Sequence, residues 1–286
     1  MRCARILPED APDTGSLRVG RVSFGLPLVP FPFDGDGVTA VVSTRHGGVS
    51  TGAYDSLNLG GHVGDAPDAV AENRARLAAA LGVERLTFAD QRHTDRVAVV
   101  GRELAGRGHG GSADALAAFP ATDAMITNRP GVALAILVAD CAPVVLYDPG
   151  RRVIGVAHSG RVGTIKGIVP KTIAAMTAAF GSVPADLLIG IGPAIGAASY
   201  EIGATEAAAV AAAFGPDAKK LLIENRPGHA RFDLRGAIRG QLDAAGVAAG
   251  NVHDLAVDTR TSTDDFFSDR AARPCGRFAA LAVLRD

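Results

Sequence analysis

Apolar positions bunch most tightly between residues 131 and 191. Val132 to Val138, Val144 to Tyr147 and Val153 to Ala157 are nearly continuous runs rich in β-branched side chains, which predicts strands covered on both faces. Leu187 to Ile191 reads the same way, and Val38 to Val42, Leu86 to Ala89 and Phe278 to Leu284 are further extended runs. Elsewhere the spacing turns helical. A helix is expected from about Ala66 to Leu81, with Asp65 as its N-cap and Gly82 as its left-handed terminator. Gly163 to Phe180 reads as a second helix, kinked or broken at Pro170. Thr205 to Phe214 and Leu234 to Ala245 are two more, each followed by a glycine, Gly215 and Gly246.

Several strands follow one another with no helix between them. A mixed sheet is therefore expected in place of a doubly wound parallel one. No composition break marks a linker and no segment repeats, so residues 23–286 read as one α/β domain, with residues 1–22 as an N-terminal arm or edge strand. Residues 101–121 read as a polar, glycine-rich and mobile loop.

Composition narrows the function. The chain has 286 residues, enough for a substantial core, and a net charge of −1. No broad basic field is available for a phosphate backbone, so nucleic acid is not an expected partner. The longest clean apolar run, Gly131 to Ala139, is far short of the roughly 20 residues of a membrane span. No signal peptide is read at the N-terminus, and three cysteines, an odd and low number, fit a reducing cytoplasm.

The most informative chemistry is Cys141, at a corner between two strand-like runs, with His158 at the end of the next run. A thiol and an imidazole at strand ends are the parts of a metal site or of a cysteine nucleophile; a buried apolar cysteine is the plain alternative. His158 opens Ser159-Gly160-Arg161-Val162-Gly163-Thr164, a glycine-bearing helix start. It reads equally as a helix cap. His93 sits in a polar segment, and His46, His62, His109, His229 and His253 read as solvated loop residues. Two histidines and one cysteine form one of the three-ligand sets with which zinc keeps a fourth position open.

The ordered motifs make the chain similar to the bacterial laccase-domain family. Its members are also called multicopper polyphenol oxidoreductase-like, purine nucleoside phosphorylase-like or peptidoglycan editing factor proteins. The motifs are Thr44-Arg45-His46-Gly47-Gly48-Val49-Ser50, Ser56-Leu57-Asn58-Leu59-Gly60, Gln91-Arg92-His93, Thr122-Asp123-Ala124, Ala139-Asp140-Cys141-Ala142-Pro143, Ala157-His158-Ser159-Gly160, Tyr200-Glu201 and Phe266-Phe267-Ser268-Asp269-Arg270 with Gly276-Arg277. The resemblance implies two mixed sheets packed face to face with helices outside, similar to cysteine-hydrolase toxin domains. It implies a zinc-type site from His93, Cys141 and His158, with copper as the alternative metal.

It also implies phosphorolysis of adenosine, inosine and methylthioadenosine, and deamination of adenosine. Purine nucleosides and phosphate are the expected partners, and a monomer is expected. Arg45, Gln91, Arg161, Gly160 and Thr164 are candidates for holding substrate. Asp123, Asp140 and Glu201 are the carboxylate candidates for proton transfer beside Cys141. The chain departs from the family pattern at Arg161-Val162, where relatives carry Trp-Arg, and at Asp258, often a cysteine. Three further readings stay open: a metal-free cysteine hydrolase or amidase, a copper-dependent polyphenol oxidase, and a non-enzymatic factor in cell-wall editing.

Overall fold

Each apolar run is covered on both faces because the chain stacks two sheets between two layers of helix. The computed structural model describes residues 25–33 and 37–286. The expected arm at residues 1–22 lies outside them. One sheet has the order β1 (Leu28–Pro30), β2 (Val38–Ser43), β14 (Phe278–Leu284), β6 (Ala133–Val138), β3 (Leu86–Phe88). The other runs β13 (Val252–Asp254), β9 (Leu188–Ile191), β7 (Ala142–Asp148), β8 (Val153–Ser159), β5 (Ala124–Thr127), β4 (Val97–Val99). Both are mixed: β3 and β6 pair parallel in the first, β4 and β5 in the second, while β7 and β8 are antiparallel.

Strand parity sorts the side chains. Leu134, Ile136 and Val138 of β6 face the second sheet and meet Val145, Ile154 and Val156. Ala133, Ala135 and Leu137 face outward onto Leu77 and Ala78 of α1 (Pro67–Ala80) and its C-cap Leu81. On the far side of the second sheet, Val144, Leu146 and Ala157 pack against Ile168, Ile173 and Met176 of α4 (Ile168–Phe180) and Ile238 and Leu242 of α7 (Leu234–Ala244). The face-to-face mixed sheets with outer helices match the expectation. No helix among the described residues is long and apolar enough to cross a membrane.

Four local expectations change. Ala66, not Asp65, is the N-cap of α1. Pro67 occupies the first helical position, and Asp65 instead accepts from the Ala66 amide, Ser50 Oγ and Asn58 Nδ2. The expected helix over 163–180 is two helices, α3 (Arg161–Ile165) and α4. The break falls at Gly167, with φ of 76°, a conformation glycine adopts without strain. Pro170 lies in the first turn of α4, where its missing N–H leaves no helical bond unmade. Residues 101–121 contain a single 3₁₀ turn and a short helix, α2 (Ser112–Ala118).

A third, three-stranded sheet was not expected: β10 (Glu201–Gly203), β12 (His229–Phe232) and β11 (Leu222–Arg226). Most of β11 is exposed and polar, so no apolar period announces it. Two further helices, α5 (Ala204–Phe214) and α6 (Ala218–Leu221), connect β10 to β11.

Candidate metal centre and its cavity

Cys141 stands where the chain steps from one sheet to the other. β6 ends at Val138 in the first sheet and β7 begins at Ala142 in the second. The step is made by Asp140, which takes φ of 85°. Such backbone is uncommon outside glycine and is held here by the aspartate's own side chain. Asp140 Oδ1 accepts from Thr259 Oγ1 at 2.6 Å and Ser268 Oγ at 2.7 Å, and Oδ2 accepts from the Arg270 amide at 2.7 Å. Asp140 is thus the clasp that draws residues 259–270 over the corner.

His158 is buried near the end of β8, one register step from the corner, since Ala142 pairs with Ser159. His93 comes from a loop beyond β3 and also has positive φ, 57°. One ligand atom from each of His93, Cys141 and His158 lies within 4.8 Å of the others, and Cys141 Sγ is 3.7 Å from His93 Nε2. Tetrahedral zinc, with bonds of about 2.3 Å to sulfur and 2.0–2.1 Å to nitrogen, puts those donors about 3.6 Å apart. The donor types and their spacing therefore fit a zinc-type ion with three protein ligands.

A single carboxylate orients two of the three. Asp123 is wholly buried. Its Oδ1 lies 2.8 Å from His158 Nδ1 and accepts the His93 amide at 3.0 Å. Its Oδ2 accepts the amides of Arg92 and Thr94 and the Thr94 hydroxyl. Three successive backbone N–H groups thus converge on one anion, a nest that fixes the loop carrying His93. Burial opposes ionisation of Asp123, but the bond and charge of His158 and these amides outweigh it and hold the carboxyl well below its usual range.

With Nδ1 engaged, His158 presents Nε2 to the cluster. Burial would likewise raise the Cys141 thiol. The His158 charge and hydrogen bonds from both histidines overcome that and bring it down, while Cys141 and Asp123 raise His158 against its own burial. The cluster favours a thiolate, the form that binds metal or attacks carbon.

Gly160 is part of this geometry by what it lacks. A Cβ there would lie 2.5 Å from Cys141 Sγ and 3.2 Å from His93 Cδ2. Gly160→Val must push the ligands apart. A misfit of about 1–3 kcal/mol predicts a roughly 5–150-fold loss of metal affinity, read by competition with a chromophoric chelator. Gly150→Ala, whose Cβ meets only Asp148 Oδ1 at 3.5 Å, serves as the unaffected control.

The cluster opens into a cavity of about 370 Å³, within the usual range for small-molecule sites. The candidates drawn from sequence distribute unevenly around it. Gln91 and Asp140 line it, but Gln91 is tied by both amide atoms to the Leu137 backbone, 2.8 Å each, and so fixes the loop to β6. Arg45, Arg161, Thr164 and Glu201 do not line it. Arg45 donates to the carbonyls of Asp55 and Thr263 and lies over the Phe267 ring. Arg161 points toward Glu206, 3.9 Å away. Thr164 is buried against Ser159 Oγ at 2.8 Å.

Glu201 is paired with Arg226 and Asn225, which pull its carboxyl down to about 2. Its neighbour Tyr200 faces the cavity instead, with Arg270 over its ring at 5.3 Å. His62, Arg92, Arg270, Arg273 and Arg277 also line the wall, and none was singled out from sequence as binding substrate. The quoted Phe266–Arg270 and Gly276-Arg277 motifs held the signal for two of them. His109, read as solvated, is half-buried, with Nδ1 3.2 Å from the Leu86 amide.

A family described as multi-copper polyphenol oxidoreductase laccase matches residues 39–285. The chain belongs to that family. It is 37% identical over 251 residues to a purine nucleoside phosphorylase of Mycobacterium tuberculosis, covering 86% of this chain and 92% of the relative. It is 40% identical over 262 residues to a purine nucleoside phosphorylase of Deinococcus radiodurans, covering 91% and 94%. Among solved structures, YlmD of Geobacillus stearothermophilus superposes with a TM-score of 0.83 at 31% identity, covering 90% of this chain and 99% of that one. The hypothetical protein YfiH of Bacillus licheniformis also gives a TM-score of 0.83, at 32% identity over 89% and 99%.

Proposed function

We propose that this chain is a metal-dependent purine nucleoside phosphorylase that also deaminates adenosine, with zinc held by His93, Cys141 and His158. The observation that carries the proposal is the three-ligand cluster at the cavity, in a chain whose relatives are named purine nucleoside phosphorylase. A zinc ion there supplies Lewis acidity at one end of the cavity. The remaining roles belong to side chains. Asp123 keeps His158 in the tautomer that offers Nε2, and its nest fixes the loop bearing His93. Asp140 keeps Cys141 at the sheet corner.

In phosphorolysis a phosphate oxygen bonds C1′ while the C1′–N9 bond breaks, and its electron pair departs with the purine, which must be protonated. Asp123 and Asp140 are poor acids for that step, since backbone and side-chain donors saturate them as carboxylates. Glu201 is engaged outside the cavity wall. Tyr200 is the better candidate by position: it lines the cavity wall, and a phenol carries its proton at neutral pH.

One cluster of histidine and cysteine ligands forms among the described residues, whereas a multicopper oxidase needs several copper centres. That favours the nucleoside reading over phenol oxidation. The lowered thiol of Cys141 beside His158 gives specific support to a second reading, a cysteine hydrolase. Covalent labelling of Cys141 that metal chelation does not enhance is the result expected of it. The nucleoside reading is tested by incubating the protein with adenosine, with and without phosphate, and separating the products. Free adenine appearing only with phosphate, and inosine in either case, is the expected result. No turnover of adenosine, inosine or methylthioadenosine would remove the proposal.

A further inference from the structure

The cavity has a second chemical character away from its thiolate. Five arginines line it, Arg74, Arg92, Arg270, Arg273 and Arg277, against three aspartates, Asp90, Asp140 and Asp269. Asp140 is occupied by a threonine, a serine and a backbone amide. Asp269 is shared between Arg273 and Arg277, and Asp90 receives Nε of Arg92. The Nη groups of Arg92 have no partner among the described residues.

Arg74 is the most telling member of the group. It is buried, lies over the Phe88 ring, and donates every guanidinium nitrogen to a carbonyl of Leu59, Gly108 or His109. It pairs with no carboxylate among the described residues, and burial brings it down to about 10. A buried charge without a counter-charge is costly to hold, and an anion in the adjoining cavity offsets that cost. His62, on the same wall, is lowered first by burial and then by the charges of Arg277, Arg74 and Arg92. Those three guanidinium groups therefore act on one small region.

We infer that this basic end of the cavity, formed by His62, Arg74, Arg92, Arg273 and Arg277, is a subsite for a phosphate dianion. The unpartnered Nη groups of Arg92 can pair with phosphate oxygens in parallel, while Arg74, whose nitrogens are on carbonyls, and Arg273 and Arg277, which share Asp269, add positive charge around them. The subsite adjoins the metal cluster, because Arg92 and His93 are consecutive and both amides bond Asp123. The phosphate is either inorganic, the second substrate of the reaction proposed above, or the ester group of a nucleotide. Only that choice rests on the nucleoside reading; the binding itself does not.

The test is calorimetric titration of the metal-loaded, full-length protein with orthophosphate. The proteins compared are wild type, the double variant Arg92→Gln/Arg273→Gln, and Arg239→Gln as a control on α7. Arg92 and Arg273 are exposed side chains, so their loss leaves the core intact. We expect saturable binding to wild type and the control, and at least a tenfold weaker affinity in the double variant. Equal affinity in all three, as phosphate held by the metal alone would give, overturns the subsite, as does no binding to wild type.

Adenosine 5′-monophosphate separates the sources. If it competes with orthophosphate, and does so less well in the double variant, the subsite accepts phosphate esters. If it does not compete, the subsite is for inorganic phosphate. Arginine-dependent phosphate binding without nucleoside turnover would leave the subsite standing and remove the enzymatic reading. Phosphorolysis with an unchanged KM for phosphate in the double variant would remove the subsite alone.

Discussion

Cys141→Ala protein is expected to purify without its metal and to lose phosphorolysis and deamination together. The thiolate is the only sulfur donor in the cluster, and it sits 3.7 Å from His93 Nε2. Removing it leaves two imidazoles, one of them exposed. Removing an outer partner of a metal ligand typically costs about 10–100-fold in affinity, so loss of a ligand itself should exceed that. Metal analysis and product chromatography on the same preparation check the prediction. The fold should persist, because Cys141 packs only at the margin of the core in which Ile136, Val138, Val145 and Val156 join the two sheets. Full metal content in the variant would contradict the ligand assignment.

Asp123→Asn is expected to weaken metal binding and lower stability at once. The carboxylate accepts from the amides of Arg92, His93 and Thr94, from Thr94 Oγ1, and lies 2.8 Å from His158 Nδ1. An amide of the same shape turns one of its oxygens into a donor that faces other donors. Buried donors left unpaired cost about 1–3 kcal/mol each. A drop of about 2–4 kcal/mol in unfolding free energy is expected, measured in chelator so that metal does not contribute. Metal affinity should fall by about 10–100-fold in a competition titration, because the orientation of His158 and His93 is lost. A variant as stable as wild type, with unchanged affinity, would show that the nest does not position the ligands.

The parts of this site that could be read from the chain are those whose signal is local. Cys141 stands one residue before β7 and His158 one residue from the end of β8, and such strand limits are visible where an apolar run opens or closes. The two-sided burial of β6, β7 and β8 was likewise written in their unbroken apolarity. What could not be read depends on parity or on distant packing. Glu201 and Tyr200 are adjacent, so a choice between them needs the direction of one short strand, and the cavity takes Tyr200. Arg45 has the right chemistry for an anion, but it stands outside the cavity wall, with Nε and Nη1 on carbonyls of two loops.

The basic end of the cavity comes from separate segments around residues 62, 74, 92 and 273–277. No spacing in the chain connects them. Gly160 carries its message in the close approach of Cys141 Sγ, which becomes visible only when two strand ends are placed side by side.

The central claim is that His93, Cys141 and His158 share one metal ion. X-ray absorption spectroscopy at the edge of the bound metal tests it most directly. The account predicts a zinc edge with one sulfur at about 2.3 Å and two imidazole nitrogens at about 2.0–2.1 Å, and loss of the sulfur shell in any metal retained by Cys141→Ala. A first shell without sulfur in the wild-type protein, or a sulfur shell that survives that substitution, would contradict it.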